Sequence, residues 1–418
     1  MKKLNMHPYD FAQKISTLSI QQQALELQAL DFESMIEVFE HLSVNRQQDL
    51  LEVMDDQKLN ELFRELEYDT IDDLIEDDQT LFHRLDQENK ETVEDILEYP
   101  VDSAGRLMLI ETFTVQKTDT VAEVIHAIKE QQDLYYASTI FVLDQTKLVG
   151  YFQVTDLLKQ PDEVKIEDFA HPIQHFVYAH QDQEEVMFTF SNYDLVVVAV
   201  VDQEMNYLGY ITIDYIVDVM QEELSEDLEK MGALSPLEDS YLETSIWTHV
   251  KKRFTWLLVL MISATITGVL LVKYEHAFEA LPILVSFIPM LMDTGGNSGS
   301  QASTLVIRGI ATNEIALKDG WKVLNKEFRI AIITSFLLAI VNGARIIIMG
   351  QSWEIAIVVS LTLMITVIIA KLIGALLPLL ADRFNLDPAV MSAPLITTIV
   401  DTASIIIYFN IAIHFFSI

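Results

Sequence analysis

The sequence predicts a multidomain chain: an all-α superhelical N domain, an α/β pair of repeats, an acidic connector helix and an α-helical membrane domain of five spans. Three observations predict it. Residues 1–250 carry 53 acids and 15 bases, a net of −38, whereas residues 251–418 carry 10 acids and 12 bases, a net of +2. Apolar runs long enough to cross a bilayer occur only in the second stretch. Between the two, helical periodicity gives way to alternating helix and strand patterns in which one motif occurs twice. The expected limits are 1–100 for the N domain, 101–164 and 165–220 for the repeats, 216–250 for the connector and its linker, and 251–418 for the membrane domain.

So acidic a soluble half repels nucleic acid and attracts cations. The chain has no cysteine, which excludes disulfides and thiolate metal sites. Its first residues, MKKLNMHPYD, have no apolar core behind the lysines, so no signal peptide is expected and the acidic half should stay in the cytoplasm.

From Ala12 to Glu98 apolar residues recur at helical spacing, as in Leu50, Leu51 and Met54, then Leu59, Leu62, Phe63 and Leu66. Acidic breaks such as Asp55-Asp56 and Tyr68-Asp69 divide the pattern into short hairpins stacked in series. Acids such as Asp72, Asp73, Glu76, Asp77 and Asp78 read singly as a solvated face and together as a cation sink.

After Tyr99-Pro100 the repeat begins. Leu148-Val149-Gly150-Tyr151-Phe152-Gln153-Val154-Thr155-Asp156-Leu157 matches Tyr207-Leu208-Gly209-Tyr210-Ile211-Thr212-Ile213-Asp214-Tyr215-Ile216, each copy following a strand that ends in an acid. The two units should pack on each other. They resemble a pair of CBS modules, a resemblance that implies regulation and binding of an adenine nucleotide such as ATP. Thr155 and Asp156 are the matching positions in the first copy; in the second, Asp214-Tyr215 is out of step.

Ile216 to Met231 reads as a connector helix with acids at 218, 222, 223, 226, 227 and 229. Five spans follow: Phe254–Val272, a second beginning at Leu281–Met292, Ile330–Met349, Ile355–Leu380, and Ala389 to about Phe415. The second runs into Asp293-Thr294-Gly295-Gly296-Asn297-Ser298-Gly299-Ser300-Gln301, and such a glycine interruption is tolerated only where backbone faces protein or water. It reads as one wall of a pore. Lys251, Lys252 and Arg253 before span one, with Arg308, Lys318, Lys322, Lys326 and Arg329 between spans two and three, place those segments and the N-terminus in the cytoplasm and the C-terminus outside.

The last span carries Asp401 deep inside it. A carboxylate at membrane depth is costly unless it meets water, a cation or a partner charge. Thr397, Thr398 and Thr402 surround it with hydroxyls, and Pro394 is expected to free carbonyl oxygens toward a cavity. Oxygen-only chemistry suits a hard cation such as Mg2+, which keeps most of its water. The competing expectation is a protonated Asp401, or one paired with Lys371 or Arg345 from a neighbouring span.

Three pieces in order resemble the MgtE family of magnesium channels: Tyr99-Pro100 with Ser103-Ala104-Gly105-Arg106-Leu107-Met108; Thr294 to Gly299 with Gln301 and Arg308; and Leu386-Asp387-Pro388-Ala389 leading through Pro394-Leu395 to Asp401. The resemblance implies a homodimer in the bilayer whose axial pore is lined by spans two and five. It places Gly295, Gly296, Asn297, Ser300, Thr304, Ala393, Pro394, Thr397 and Thr398 along that pore and a hydrated Mg2+ at Asp401. It also implies regulatory metal at Asp182, Glu184, Asp194, Asp218, Glu223, Glu226 and Asp227, so that cytosolic Mg2+ shuts the channel. Tyr215 stands where an Asp is common, and Ser300 and Ala393 where asparagine is found. Alternatives are a transporter of Mn2+ or Co2+ on the same scaffold, or a membrane-bound nucleotide sensor that transports nothing. No P-loop, metal-hydrolase signature or nucleophile constellation is present, so the chain does not read as an enzyme.

Overall fold

The computed structural model describes residues 4 and 6–417, apart from 65, 67–69, 72, 73, 76–78, 111, 112, 131–137, 238–240, 243 and 392; of 276 and 278 it describes the backbone only. The acids Asp69, Asp72, Asp73, Glu76, Asp77 and Asp78 therefore lie outside the described residues. The chain divides into two compact units, Met1–Glu223 and Leu224–Ile418.

The first unit opens with short helices: α1 Pro8–Ile15, α2 Ile20–Gln28, α3 Phe32–Glu40, α4 Val44–Val53, α5 Asp56–Phe63, α6 Gln79–Arg84 and α7 Gln87–Leu97. Many of the acids that punctuate them are caps. The side chains of Asp31, Asp55 and Asp86 accept the backbone N–H of Ser34, Lys58 and Asn89 at 3.0–3.1 Å, satisfying donors that a helix start leaves free. One face of each helix feeds a common core that includes Leu27, Phe39, Leu50, Leu59, Leu62 and Val93. Arg84 closes the series by donating to the Leu51 and Met54 carbonyls at the end of α4, at 2.8 and 2.7 Å.

A one-turn helix, Ala104–Leu107, leads into the repeats. The first holds β1 Thr114–Gln116, α8 Val121–Glu130, β2 Thr139–Asp144, β3 Lys147–Gln153 and β4 His171–Pro172; the second holds β5 Phe176–Tyr178, α9 Gln183–Tyr193, β6 Val197–Val201 and β7 Tyr207–Thr212. The topologies correspond: β1 pairs parallel with β2 and β2 antiparallel with β3, just as β5 pairs with β6 and β6 with β7. The copies share a core of Phe141, Leu143 and Leu148 from one and Ala199, Val201 and Tyr210 from the other. The glycine they have in common has one physical cause. A Cβ at Gly150 would lie 2.6 Å from the His171 carbonyl oxygen, and one at Gly209 would lie 2.5 Å from that of Leu109. Only glycine admits so close a backbone.

Helix α10, Ile213–Met231, contains the boundary between the units. The second unit then holds α11 Ile246–Lys273, α12 Ile288–Ala311, α13 Gly320–Ile348, α14 Trp353–Arg383 and α15 Ala393–Phe416. Among the described residues, four helices are long and apolar enough to cross a membrane: α11, the stretch Leu317–Ile348 that contains α13, α14 and α15. The second expected span, α12, has 24 residues, about 36 Å of helix and so enough length to cross, but its Gly, Ser and Asn run makes it less apolar.

One expectation about α12 is corrected. The helix runs unbroken through Thr294–Gln301, where the glycines suggested an interruption. They are contact points instead. A Cβ at Gly295 would lie 2.7 Å from Thr366 Cγ2 and 2.9 Å from Val400 Cγ1, and one at Gly299 would lie 2.7 Å from Ile396 Cγ2. Close packing of small residues offsets their poor helix propensity, as between helices in lipid.

Candidate ion path

Helices α12 and α15 build the site. The buried face of α12 is made of Gly295, Gly296, Ser298, Gly299, Ala302, Ser303 and Val306, packed on its neighbours. Its exposed face carries Asp293, Asn297, Gln301 and Thr304, one turn apart in succession. A helix bathed only by lipid would be apolar on that face, because hydrocarbon cannot satisfy amides and carboxylates. Of the residues expected to line the path, Asn297 and Thr304 are exposed and Ser300 is half-buried, whereas Gly295 and Gly296 are buried against Val400 and Thr397. The two glycines set the helix spacing rather than the lining.

Asp401 sits half-buried in the second turn from Pro394 along α15. Among the described residues no ion pair reaches it. Lys371, one of the two bases that could have met it, faces Glu327 on α13 with Nζ 4.0 Å from Oε2. The surrounding hydroxyls are already engaged: Thr397 and Thr398 donate to the Pro394 carbonyl at 3.0 and 2.9 Å, and Thr402 lies 3.1 Å from the Thr398 carbonyl and 2.9 Å from the Thr267 hydroxyl of α11. Pro394 lies in the first turn of α15, where a backbone donor has no helical acceptor, so it frees no carbonyl there. This corrects the expectation of carbonyl oxygens released toward a cavity. The start of α15 is tied to α12 by Ser303, which donates to the Met391 carbonyl at 2.9 Å. Ala393 and Pro394 are both half-buried at that start.

The acids of the first unit fall into separate places. Asp182 caps α9, accepting from the Glu184 N–H at 2.9 Å. The next residue, Gln183, donates its side chain to Glu223 at 2.8 Å and its N–H to the Asp102 carbonyl at 2.7 Å. Partial desolvation and then the charges of Asp218 and Asp102 raise the Glu222 carboxyl. Asp218 is raised likewise, by desolvation and then Asp214, while His41 opposes the shift. Thus Asp102, Glu222 and Glu223 gather near the start of α9, whereas Asp194 stands at the opposite end of that helix in the left-handed region, with φ 51°. Nothing in the sequence sets Asp102 apart from dozens of other acids, and Glu222 shows there only as one of the connector-helix acids.

In the second unit Lys230 bonds both Glu226, one turn earlier, and Asp387, at 2.6 Å, in the loop before α15. Burial and then the Asp387 charge raise Asp227 beside this pair. Among the described residues no three side chains are arranged to hold a bare metal ion.

At the expected nucleotide positions Thr155 is exposed, and Asp156 is engaged by Lys159 at 2.8 Å and by the Gln153 N–H at 3.2 Å. A cavity of about 960 Å3 lies instead by the second repeat, lined by Tyr99, Tyr178 and His180 with Glu98, Glu185, Asp202 and Glu204. No lysine or arginine lines it, so it offers phosphate no positive charge.

The model of the MgtE divalent cation transporter family matches residues 288–411, and that of the MgtE intracellular N domain matches residues 6–102. A protein of Thermus thermophilus named magnesium transporter MgtE is 33% identical over 420 residues, covering 97% of this chain and 92% of the relative. The chain belongs to the MgtE family. A second MgtE magnesium transporter, from Bacillus subtilis, is 31% identical over 79% of this chain and 73% of its own length. A crystal structure of the cytosolic domain of the Mg2+ channel MgtE in complex with ATP is 28% identical, with a TM-score of 0.48 over 51% of this chain and 91% of that one. As an MgtE protein the chain is a multi-pass membrane protein of a transporter family, combining an MgtE N domain, a CBS-like pair and apolar helices.

Proposed function

We propose that this MgtE protein is a Mg2+-selective channel for magnesium uptake, shut when cytosolic Mg2+ binds its acidic domains. One observation carries the reading. Asp401, a membrane-depth acid that no base neutralises among the described residues, stands beside a transmembrane-length helix that exposes Asp293, Asn297, Gln301 and Thr304 in successive turns. A hydrated divalent ion answers both features. It keeps its inner water, exchanges outer-shell contacts with carboxylate, amide and hydroxyl oxygens, and neutralises the carboxylate that the membrane penalises.

The polar face of α12 points away from the helices of its own chain, so a homodimer would enclose it as an axial path. Asp182, Glu184, Asp194, Asp218, Glu223, Glu226 and Asp227 would act as regulatory ligands whose repulsion Mg2+ relieves. Moving such an equilibrium from mostly open to mostly closed takes about 5.5 kcal/mol of differential binding, which several weak sites supply together. The orientation follows from the basic residues, with the N-terminus cytoplasmic and the C-terminus outside. ATP is proposed for the CBS-like pair at Thr155 and Asp156, since the cavity by the second repeat has no cationic lining.

The test is ion uptake by liposomes carrying the pure protein, with Mg2+, Mn2+ and Co2+ compared at equal concentration. Mg2+ uptake above that of empty liposomes, and above uptake of the other two ions, is expected. Uptake of Mn2+ or Co2+ with exclusion of Mg2+ would replace the reading by a different divalent transporter.

A further inference from the structure

Taking that path as read, we propose that Asp293 of α12 is a second carboxylate of the ion path, level with Asp401 of α15, and that both acids together select a doubly charged hydrated cation. The register of the two helices carries the inference. Gly295 meets Val400 and Ser404, Gly296 meets Thr397, and Gly299 meets Ile396, so residue numbers rise along α12 as they fall along α15. Continuing that antiparallel register by two residues places Asp293 at the level of Thr402 and Asp401.

Exposure supplies the second argument. Asp293 begins the exposed polar face that continues through Asn297, Gln301 and Thr304, and it has no ion pair among the described residues. Two carboxylates left unneutralised at one membrane depth are costly for the chain alone, and a divalent ion between them removes the cost. A monovalent ion removes only half of it. With both acids ionised, the path therefore favours charge two over charge one, while the ion's retained water lets it leave.

Asp293 differs in role from Asn297, Gln301 and Thr304, which offer neutral oxygen to the outer hydration shell. A serine or asparagine at 293 would keep the polar face and lose the second charge.

The experiment is liposome uptake by the full chain with Asp293→Asn and Asp293→Glu, beside wild type and Asp401→Asn, using Mg2+ and Na+ as separate probes. Folded protein is matched by size-exclusion elution. Asp293→Asn is expected to raise the half-saturating Mg2+ concentration about tenfold and to raise Na+ uptake relative to Mg2+, with Asp293→Glu within about threefold of wild type on both. Asp293→Asn with wild-type half-saturation and wild-type Na+ uptake overturns the inference, even where Asp401→Asn is inactive and the path itself stands. No Mg2+ uptake by wild type would instead remove the path on which it rests. Should Asp293→Asn fail to fold, Asp293→Ser is measured for the same two quantities and decides by the same outcomes.

Discussion

The Lys230 ammonium on α10 lies 2.6 Å from the Asp387 carboxylate in the loop that leads into α15, and it also bonds Glu226 on its own helix. Burial acts to lower the Lys230 pKa, but the two carboxylates overcome it and the net shift is upward. A single positive side chain thus joins a carboxylate of α10 to one in the loop before α15.

Removing that ammonium should make the contact depend on metal. Lys230→Met is expected to cost about 1 kcal/mol in EDTA, in the range of a partly exposed pair, and to recover when Mg2+ is added. Thermal melting of the detergent-solubilised chain with and without Mg2+ measures this. An equal loss in both conditions would mean that Mg2+ does not enter where Lys230 was.

Removing the charge at the centre of the path should stop transport without unfolding the chain. Asp401→Ala is expected to lower Mg2+ uptake by at least about a hundredfold, since the carboxylate offsets the dehydration and membrane cost of the ion. Asp401→Asn keeps the shape and should lose most uptake as well. Wild-type uptake by Asp401→Ala at equal expression would take the residue out of the mechanism.

The raised carboxyls of α10 predict a pH dependence with a definite sign. Desolvation and neighbouring acids hold Asp218 and Glu222 above their ordinary values of 3.8 and 4.5, so the folded chain keeps protons that the unfolded chain has lost. Their contribution therefore falls as pH rises from the ordinary carboxylate range through the higher folded values. In EDTA the chain should melt roughly 2 °C lower at neutral pH than at mildly acidic pH, a difference that Asp218→Asn with Glu222→Gln, or added Mg2+, reduces. A melting temperature with the same pH slope in wild type and double variant would show that these two acids do not set it.

Much of this was legible in the residues, because the signals were periodic or compositional. Long apolar helices, a duplicated Gly-containing strand pair and Asp401 inside an apolar run each announce themselves locally. The misreadings have a common origin in contacts that the sequence does not display. Gly295, Gly296 and Gly299 look like a break until Val400, Thr397 and Ile396 are found against them. Pro394 looks like a disruption until it falls in a first turn, where its missing N–H has no consequence. Asp293 was in view at the head of the glycine run, but only the spacing to Asn297 and Gln301, with the register against α15, turns it toward the path. Lys230 likewise reads as one base in an acidic helix until Asp387 is brought to it.

The buried pair of Glu327 on α13 and Lys371 on α14 yields the last prediction. Both side chains are about nine-tenths buried, their charged atoms are 4.0 Å apart, and the facing Glu327 oxygen has no hydrogen-bond partner. Such a pair contributes little net stability when whole, yet losing one member strands a charge at a cost of about 3 kcal/mol. Lys371 lies next to Ala370, whose carbonyl oxygen would be 3.1 Å from a Cβ at Gly299, and one turn before Gly374, where a Cβ would overlap the Gly299 carbonyl oxygen. The pair therefore stands directly behind the contact that seats α12. Lys371→Met should lower both thermal stability and Mg2+ uptake, and Glu327→Gln added to it should restore most of each, because the stranded carboxylate is then gone. Melting curves and liposome uptake on the two singles and the double form the cycle. If Lys371→Met alone melts with the wild type, the carboxylate has found another partner, and the pair does not hold α14 in place.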